Sequence, residues 1–455
     1  MLFRPRNALT ISASLKNVLS PSRLQSRNAM AISQKSSAKI LALDAGGTVF
    51  AEYTGLAVKH NAINLGQGFP TLPVPEFIRN AAHTAVSSIN PLHQYARSEG
   101  HTRLVHSLAK YYEPKLGRKL DPMTNIITTV GATEAIYSTI QAFVNPGDEV
   151  ILMQPYYDSY PASVTMAGGK PVVVSLKPPT DRPALTSDDF KLDLKEVEAA
   201  ITPRTKAIMV NNPNNPIGKV FTRQELLGIL DIATRHDILV FADEVYESLV
   251  YTDSVSPMIK FATLPGAWER TITFGSVGKT LGLTGWKIGW VLGPQELVRS
   301  VWMVHQFVPY AIVTPLQEAT AQALDEASTN NYFKDNLKLY EKLRDKLVHT
   351  LKSVGLTPIV PHGGYFILAD TTSIPDPAQL PQSKIQSSPT LQLAAADHRG
   401  RDYRVTAIPP SAFYVPGSPQ QQHVAGNMAR FAFCKLEDHL ESGGKNLEKY
   451  FSSKI

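Results

Sequence analysis

Short apolar runs alternate with longer amphipathic stretches along the chain from residue 125 onward. The run NIITTV (125–130) precedes ATEAIYSTIQAFV (132–144), and KAIMVNN (206–212) precedes TRQELLGILDIATRH (222–236). Further apolar runs of this kind are EVILMQ (149–154), KPVVVSL (170–176), ILVFADE (238–244) and TITFGS (271–276). Strands that alternate with helices are typical of a mostly parallel sheet covered by helices. The sequence therefore predicts an α/β fold with a large domain built on such a sheet.

The pattern changes beyond Leu316. A long helical stretch around 332–354 is followed by short strands near 365–369 and 428–433, which predicts a smaller α+β domain. Ile374–Ser388 is rich in Pro, Ser and Gln and is expected to form a surface loop, whereas 391–403 has no interpretation. We divide the chain into a leader (1–43), an N-terminal segment that joins the small domain (44–75), a large domain (76–320) and a small C-terminal domain (321–455).

The positive charge of the chain is concentrated at its beginning. The net charge is +6, yet residues 1–43 hold seven basic residues and no Asp or Glu. The seven are Arg4, Arg6, Lys16, Arg23, Arg27, Lys35 and Lys39. Since they exceed the net charge of the whole chain, the remainder is close to neutral. We therefore expect no nucleic-acid partner for the folded part.

The leader has the composition of a transit peptide. It is rich in Arg, Ser and Ala, and it spaces Leu2, Leu9 and Leu15 among polar residues without the continuous apolar core of a secretory signal. This pattern predicts import into mitochondria. A disordered cytosolic extension is the alternative, and translation from Met30 would leave most of the leader out.

Two further features limit the class of protein. The apolar runs are much shorter than the roughly 20 residues that a membrane-spanning helix needs, so no membrane association is expected. Cys434 is the only cysteine, which excludes an intrachain disulfide and is compatible with a reducing compartment. We expect no metal site.

The stretch FGSVGKTLGLTGWKIGW (274–290) contains Gly278-Lys279-Thr280, which resembles the end of a nucleotide-binding P-loop. Such a loop needs a glycine five residues before the glycine that precedes its lysine, so that backbone amides can surround the phosphates. Thr273 occupies that position, and TITF is predicted to be strand. Lys279 therefore needs another explanation.

Polar side chains follow several neighbouring strands of the predicted sheet. Asn215 lies after KAIMV, Asp243 and Tyr246 after ILVFA, and Ser276 and Lys279 after TITFG. Because open α/β sheets bind ligands at the carboxyl ends of their strands, we expect these side chains to share one crevice. A lysine beside a carboxylate, a phenol and an amide suits pyridoxal 5'-phosphate, whose ring nitrogen takes a carboxylate partner.

That chemistry assigns a role to each group. Lys279 would bind the cofactor aldehyde covalently and, once displaced by substrate, act as the base that moves the α-proton. Asp243 would keep the ring nitrogen protonated by opposing its positive charge. Asn215 and Tyr246 would form hydrogen bonds with the ring oxygen.

The cofactor phosphate also has candidate partners. The stretch Gly131-Ala132-Thr133 follows a strand and opens a helix, so it presents free amides and the positive end of a helix dipole. Ser276 can add a hydroxyl and Lys287 a positive charge. The 274–290 stretch is thus predicted to bind both the aldehyde of the cofactor, through Lys279, and its phosphate, through Lys287.

Four motifs in order give the chain a family resemblance. NLGQGFP (64–70), NNPNNPIGKVF (211–221), DEVY (243–246) and SVGKTLGLTGWKIGW (276–290) resemble the class I and II aminotransferases of fold type I, which depend on pyridoxal phosphate. More narrowly, the sequence is similar to the group that contains kynurenine aminotransferase, glutamine transaminase K and cysteine-S-conjugate β-lyase. The similarity extends over roughly residues 46–436.

The resemblance implies further site residues. Tyr157 would stack on the cofactor ring with Tyr160 nearby, and Tyr95 would reach the phosphate in the other subunit of a homodimer with shared active sites. Phe50, Gly68, Tyr160 and Asn215 would border the substrate. Arg430 would bind the substrate α-carboxylate through its two-pronged guanidinium.

The expected activity is transfer of the amino group from a large apolar, aromatic or sulfur-containing L-amino acid, with kynurenine as the leading donor, to a 2-oxo acid. Relatives that act on kynurenine often have an aromatic residue followed by histidine where this chain has Tyr310-Ala311, and some have an aromatic residue in place of Thr133. Carbon–sulfur β-elimination, or an aromatic or glutamine aminotransferase without physiological kynurenine activity, is the alternative. A ligand-sensing DNA-binding regulator and a catalytically silent relative are further alternatives.

Overall fold

The computed structural model describes residues 36–41, 43, 48–372 and 404–452. Most of the predicted leader, the predicted loop 374–388 and the stretch 391–403 lie outside the described residues. Within the described part, no helix combines the length and the apolar character needed to cross a bilayer.

The elements of the described residues follow the predicted alternation. The strands are β1 (Ile63–Asn64), β2 (Ile126–Val130), β3 (Glu149–Gln154), β4 (Lys170–Lys177), β5 (Lys191–Leu192), β6 (Thr205–Asn211), β7 (Leu239–Asp243), β8 (Thr271–Ser276), β9 (Ile288–Leu292), β10 (Thr357–Ile359), β11 (Phe366–Asp370), β12 (Val405–Thr406) and β13 (Met428–Ala432). The α-helices are α1 (Ala38–Leu41), α2 (Val49–Lys59), α3 (Glu76–Val86), α4 (Thr102–Leu116), α5 (Gly131–Phe143), α6 (Ser159–Met166), α7 (Leu194–Ala199), α8 (Arg223–Arg235), α9 (Val277–Thr280), α10 (Gln295–His305), α11 (Thr314–Ala327), α12 (Tyr332–Ser353), α13 (Pro419–His423) and α14 (Glu437–Ser452).

An eight-stranded sheet forms the centre of the large domain, in the order β2-β9-β8-β7-β6-β3-β4-β5. Strands β8, β7, β6, β3 and β4 pair in parallel, whereas β9 and β5 are antiparallel to their neighbours. The prediction of a mostly parallel central sheet is confirmed.

Helices cover both faces of this sheet. Successive residues of β7 point to opposite faces, so that Val240 packs with α8 on one side and Phe241 packs with α5 on the other. Both faces are buried, which explains why the central strands are apolar throughout rather than alternating with polar residues. The burial leaves the carboxyl ends of the strands as the place where polar side chains gather.

A second, antiparallel sheet of β10, β11 and β13 belongs to the small domain and packs with α12 and α14. Strand β1 pairs in parallel with β12, which attaches the N-terminal segment to this domain. Helix α11 runs unbroken through residue 320, where the sequence analysis ended the large domain, and it packs against α3 and α4. We therefore place the boundary after Ala327.

Candidate active site

The carboxyl ends of β6, β7 and β8 open into a cavity of about 210 Å³. It is lined by Gly68, Gly131, Ala132, Thr133, Ile136, Tyr157, Tyr160, Asn211, Asn215, Asp243, Val245, Tyr246, Ser276, Gly278, Lys279, Thr284 and Lys287. The parallel strands thus bring together the side chains that the sequence analysis assigned to one crevice.

Lys279 enters the cavity from the short helix α9. Ser276 ends β8 and caps α9, because its Oγ accepts a hydrogen bond from the amide of Gly278 at 3.2 Å. The Lys279 Nζ lies 2.5 Å from the hydroxyl of Tyr365 and 5.5 Å from the ring centre of Tyr246. Burial lowers the pKa of Lys279 to about 8, since the charged amine is poorly solvated there. An amine in this state is available both to bind a carbonyl carbon and to carry a proton.

Asp243 is the last residue of β7 and is buried at the floor of the cavity. The hydroxyl of Tyr160 donates a hydrogen bond to its Oδ2, and the amide of Val245 lies 3.3 Å from its Oδ1. Burial raises the pKa of Asp243 to about 6. A cationic partner in the cavity would reverse that effect, so the carboxylate is suited to a protonated ring nitrogen.

Arg430 lies on β13 and is 1% exposed. Its Nη1 donates to Asn215 Oδ1 at 3.3 Å and its Nη2 to the carbonyl oxygen of Gly66 at 2.9 Å, while its Nε has no hydrogen-bond partner. Among the described residues, no carboxylate forms a salt bridge with it. Burial lowers the pKa of Arg430 to about 10. A buried guanidinium without a salt-bridge partner is a site for the carboxylate of a small molecule.

Aromatic rings enclose this guanidinium. Its carbon lies 4.0 Å from the ring centre of Phe366, 4.6 Å from that of Phe413 and 5.7 Å from that of Phe50. Phe50 was predicted to border the substrate, and it lies at Arg430 rather than in the lining of the main cavity. The rings exclude water from the carboxylate site and strengthen its electrostatics.

The start of α5 faces Lys287 across the other end of the cavity. Gly131 has a φ of +70°, and a Cβ built on it would lie 3.3 Å from Lys287 Nζ. A glycine here therefore lets the ammonium group approach the amides at the start of the helix. Ala132, Thr133 and Ser276 line the same part of the cavity. This combination of helix N-terminus, hydroxyls and ammonium suits a phosphate.

Tyr157 and Tyr160 line the wall between these two ends, with their ring centres 5.7 Å apart in an edge contact. Burial raises the pKa of both phenols. Tyr160 was predicted to border the substrate; it lines the cavity, and its hydroxyl donates a hydrogen bond to Asp243. Tyr95 lies elsewhere: its side chain is 84% exposed and packs edge-on against Tyr310 at 5.4 Å, outside the cavity of its own chain.

The sequence analysis missed two residues at or beside the cavity, Asn211 and Tyr365. Asn211 ends β6, donates to the carbonyl of Asp243 at 3.0 Å and accepts from the amide of Asn215 at 2.6 Å. The strand-end argument would have found it, because it precedes the Asn-Pro cluster. Tyr365 contacts Lys279 but stands beside an apolar strand, where a tyrosine is normally a core residue. No local signal marks it.

Comparison with known proteins agrees with this geometry. A family model described as aminotransferase class I and II matches residues 60–418. The chain belongs to the class I and II aminotransferases. Its fold is the type I fold of pyridoxal-phosphate-dependent enzymes, as predicted, and the aminotransferase assignment is confirmed.

Sequence similarity to individual relatives extends over nearly the whole length of this aminotransferase. It is 42% identical to a kynurenine–oxoglutarate transaminase of Dictyostelium discoideum over 89% of this chain and 94% of that one. It is 40% identical to kynurenine–oxoglutarate transaminase 3 of Mus musculus over 100% of both. The crystal structure of Bna3p from Saccharomyces cerevisiae superposes with a TM-score of 0.83 at 32% identity, over 92% of this chain and 100% of that one.

Proposed function

We propose that this aminotransferase moves the amino group of L-kynurenine, or of another large apolar, aromatic or sulfur-containing L-amino acid, to a 2-oxo acid. One observation carries the proposal: the amine of Lys279 and the buried carboxylate of Asp243 line one crevice, and Asn215 in its lining contacts the buried guanidinium of Arg430. The relatives named kynurenine–oxoglutarate transaminase support kynurenine as donor and 2-oxoglutarate as acceptor.

The residues present fit pyridoxal 5'-phosphate. Gly131 leaves room for Lys287 at the start of α5, and that end of the cavity would hold the phosphate. Asp243 would hold the ring nitrogen, Asn215 and Tyr246 the ring oxygen, and Tyr157 the face of the ring. When bound, the cofactor supplies an electron-withdrawing ring that stabilises negative charge on the substrate α-carbon.

Arg430 binds and orients the amino acid through its α-carboxylate. Because Gly66 and Asn215 hold the guanidinium from one side, the unpaired Nε–H and the remaining Nη–H groups are left for the substrate. A planar fork with two donors fixes both the position and the tilt of a carboxylate. This contact sets which substrate bond faces Lys279.

Lys279 moves the proton. A pKa of about 8 leaves roughly a tenth of the amine neutral at pH 7, and only the neutral amine can take a proton from the substrate α-carbon. Asp243 keeps its negative charge opposite the ring nitrogen, and the hydrogen bond from Tyr160 fixes the plane of the carboxylate. Enclosure by Tyr157 and Tyr246 keeps water away from the transferred proton.

A half-reaction screen tests the proposal. The loaded enzyme is mixed with one L-amino acid at a time, and the loss of cofactor absorbance is followed by stopped flow. We expect large aromatic donors, kynurenine among them, to react fastest. A kynurenine rate far below those of methionine, glutamine and phenylalanine would refute the substrate, and release of pyruvate and thiol from a cysteine conjugate in excess of transamination would favour β-elimination.

We propose a homodimer in which Tyr95 completes the site of the second copy. The support is its position: it is 84% exposed and outside the cavity of its own chain. Mixing inactive Tyr95→Ala and Lys279→Met subunits tests this, because a hybrid dimer with shared sites regains one intact site. Sedimentation as a monomer, or no recovery of activity on mixing, would refute it.

We also propose mitochondrial import, supported by the basic, acid-free leader. A fusion of residues 1–43 to a fluorescent reporter is expected to enter mitochondria, whereas a fusion that begins at Met30 is expected to stay in the cytosol. Cytosolic fluorescence from both fusions would refute the proposal.

A further inference from the structure

Tyr365 contacts the reactive amine from the small domain, and no step above uses it. It lies immediately before β11 and is 1% exposed. Its Oη lies 2.5 Å from Lys279 Nζ and 2.7 Å from the carbonyl oxygen of Gly68. One hydroxyl therefore joins the N-terminal segment, the large domain and the small domain at the amine.

The carbonyl of Gly68 decides the direction of these hydrogen bonds. A carbonyl oxygen only accepts, so the single proton of the Tyr365 hydroxyl is committed to Gly68. The lone pairs of Oη are then left to accept an N–H of Lys279. Burial raises the pKa of Tyr365 well above its usual range, so the hydroxyl keeps its proton at neutral pH.

Glycine is required at residue 68 for this arrangement. A Cβ built there would lie 2.8 Å from Cε2 of Tyr365, and it would also overlap the ring of Phe366. Any larger residue would push the carbonyl away from the phenol. The close approach of Gly68 thus explains how a backbone oxygen reaches a buried hydroxyl that already contacts Lys279.

We propose that Tyr365 is a positioning residue that holds one N–H of Lys279 and so aims the lone pair of the neutral amine at the substrate α-carbon. The inference rests on the proposed function. A tyrosine that donated its proton to the amine would occupy that lone pair, and the bond to Gly68 prevents this. When Nζ takes the α-proton, the C–H electron pair stays with the substrate, and the ammonium group formed still donates to Tyr365.

Other groups around Lys279 act on its charge without holding it. Asp243 favours its charged form, and Arg430 and Lys287 oppose it. Among the described residues, Tyr365 provides the hydrogen bond that Nζ makes. Loss of this one hydroxyl should therefore change the direction of the amine while leaving the surrounding charges in place.

Tyr365→Phe tests the inference, with Tyr251→Phe as the matched control. Tyr251 is also buried, and its hydroxyl donates to the carbonyl of Gly364 at 2.5 Å without contacting Lys279. In the loaded enzyme, we expect Tyr365→Phe to slow the half-reaction about tenfold. We also expect it to raise the isotope effect seen with an α-deuterated amino acid, because proton transfer becomes more limiting. Wild-type values for both measurements in Tyr365→Phe would overturn the inference.

A second measurement needs no cofactor. The pH dependence of Lys279 modification by an amine-selective reagent, followed by mass spectrometry of its peptide, reports the pKa of Lys279 in the cofactor-free protein. We expect a lower pKa in Tyr365→Phe, because an acceptor that favours the charged amine is lost, and no change in Tyr251→Phe. An unchanged pKa in Tyr365→Phe would overturn the inference.

Two safeguards keep the outcomes distinct. If Tyr365→Phe does not fold, 4-aminophenylalanine at position 365 keeps the ring and a donor to Gly68 but is a weaker acceptor, and a smaller shift in the same direction is expected; no shift would overturn the inference. If the wild-type enzyme binds the cofactor but reacts with no amino acid, the proposed function fails, whereas the cofactor-free titration still decides the role of Tyr365.

Discussion

Two consecutive carboxylates, Asp243 and Glu244, face two different buried lysines. Asp243 lines the cavity with Lys279, and among the described residues Lys279 has only the neutral hydroxyl of Tyr365 in hydrogen-bond contact. Glu244 points away from the cavity and lies 3.0 Å from Lys260, which also pairs with Glu247. Burial lowers the pKa of both amines to about 8. What differs is whether each amine has a partner of opposite charge within reach.

We infer that this difference separates a lysine available for chemistry, Lys279, from a structural one, Lys260. Lys260 is enclosed by two carboxylates, and Glu244 also accepts the amide of Phe261 at 2.7 Å, so that group of charges is complete without a ligand. Burial of Lys279 costs stability, and among the described residues no carboxylate lies within salt-bridge distance of its amine to offset that cost. The unpaired amine is the one available for chemistry, and a perturbed pKa alone would not have distinguished the two.

The largest expected effect comes from Lys279→Met. Because the variant lacks both the attachment point and the proton carrier, we expect the half-reaction to slow by at least about ten-thousand-fold. Borohydride treatment of the loaded wild-type protein is expected to leave a fixed cofactor mass on the peptide of Lys279, and none in the variant. Full turnover by Lys279→Met would contradict the assignment.

Lys260→Met is expected to have its main effect on stability. Removal of the amine leaves Glu244 and Glu247 buried with too few partners, which costs about 3–5 kcal/mol of unfolding free energy. Urea denaturation measures this loss. Activity per folded, cofactor-loaded molecule should remain near wild type, and a loss of activity as large as that of Lys279→Met would remove the distinction between the lysines.

Asp243 and Glu244 should differ as their lysines do: substitution of Asp243 should lower activity, and substitution of Glu244 should lower stability. Asp243→Asn removes the charge that opposes the ring nitrogen, and we expect the half-reaction to slow by about a hundredfold or more with little loss of stability. Glu244→Gln should keep its activity and lose about 1–3 kcal/mol of stability, because the bonds to Lys260 and Phe261 weaken. Equal activities of the two variants would argue against a role for Asp243 at the ring.

The smallest expected effect is on stability: Lys279→Met should stabilise the cofactor-free protein, whereas Lys260→Met should destabilise it. In the cofactor-free protein, Lys279→Met should increase the free energy of unfolding by about 1–2 kcal/mol at pH 7. We expect less than the full pKa shift implies, because part of the side chain faces the cavity. Below pH 8 the folded protein must hold a buried charge that the variant lacks.

The pH dependence provides the check on that sign. Between pH 8 and 10.5 the unfolded wild-type chain still binds a proton that the folded chain has released, so wild-type stability rises with pH relative to the variant. The difference between the two proteins should therefore be largest below pH 8 and vanish above pH 10.5. A constant difference across this range would mean that the pKa of Lys279 is not lowered by folding.

The sequence predicted the residues at the strand ends better than it predicted Arg430 on the small domain. Asn215, Asp243, Ser276 and Lys279 follow parallel strands directly, so the strand-end rule places them together without knowledge of tertiary contacts. Arg430 came from the family resemblance, since nothing in MARFAFCK itself points to a ligand. Its isolation from carboxylates became evident only in the fold.

The groups that were missed depend on contacts between distant segments. Tyr365 reaches Lys279 because the small domain packs over the cavity, and the pairing of Lys260 with Glu244 needs the loop after β7 to turn back on itself. Periodicity reports which residues are buried but not which partner each one meets. The domain boundary was placed at residue 320 for a similar reason, because the hydrophobic pattern of α11 does not reveal that this helix packs on α3 and α4.

The pairing of β1 with β12 has a consequence for how the protein is made. Ile63 leaves the ribosome long before Val405 is synthesised. Strand β1 therefore has no pairing partner while the central sheet is being made. Gly66, whose carbonyl accepts a hydrogen bond from Arg430, belongs to the same N-terminal segment as β1. The contact between Gly66 and Arg430 can therefore form only after the C-terminal part of the chain has been synthesised.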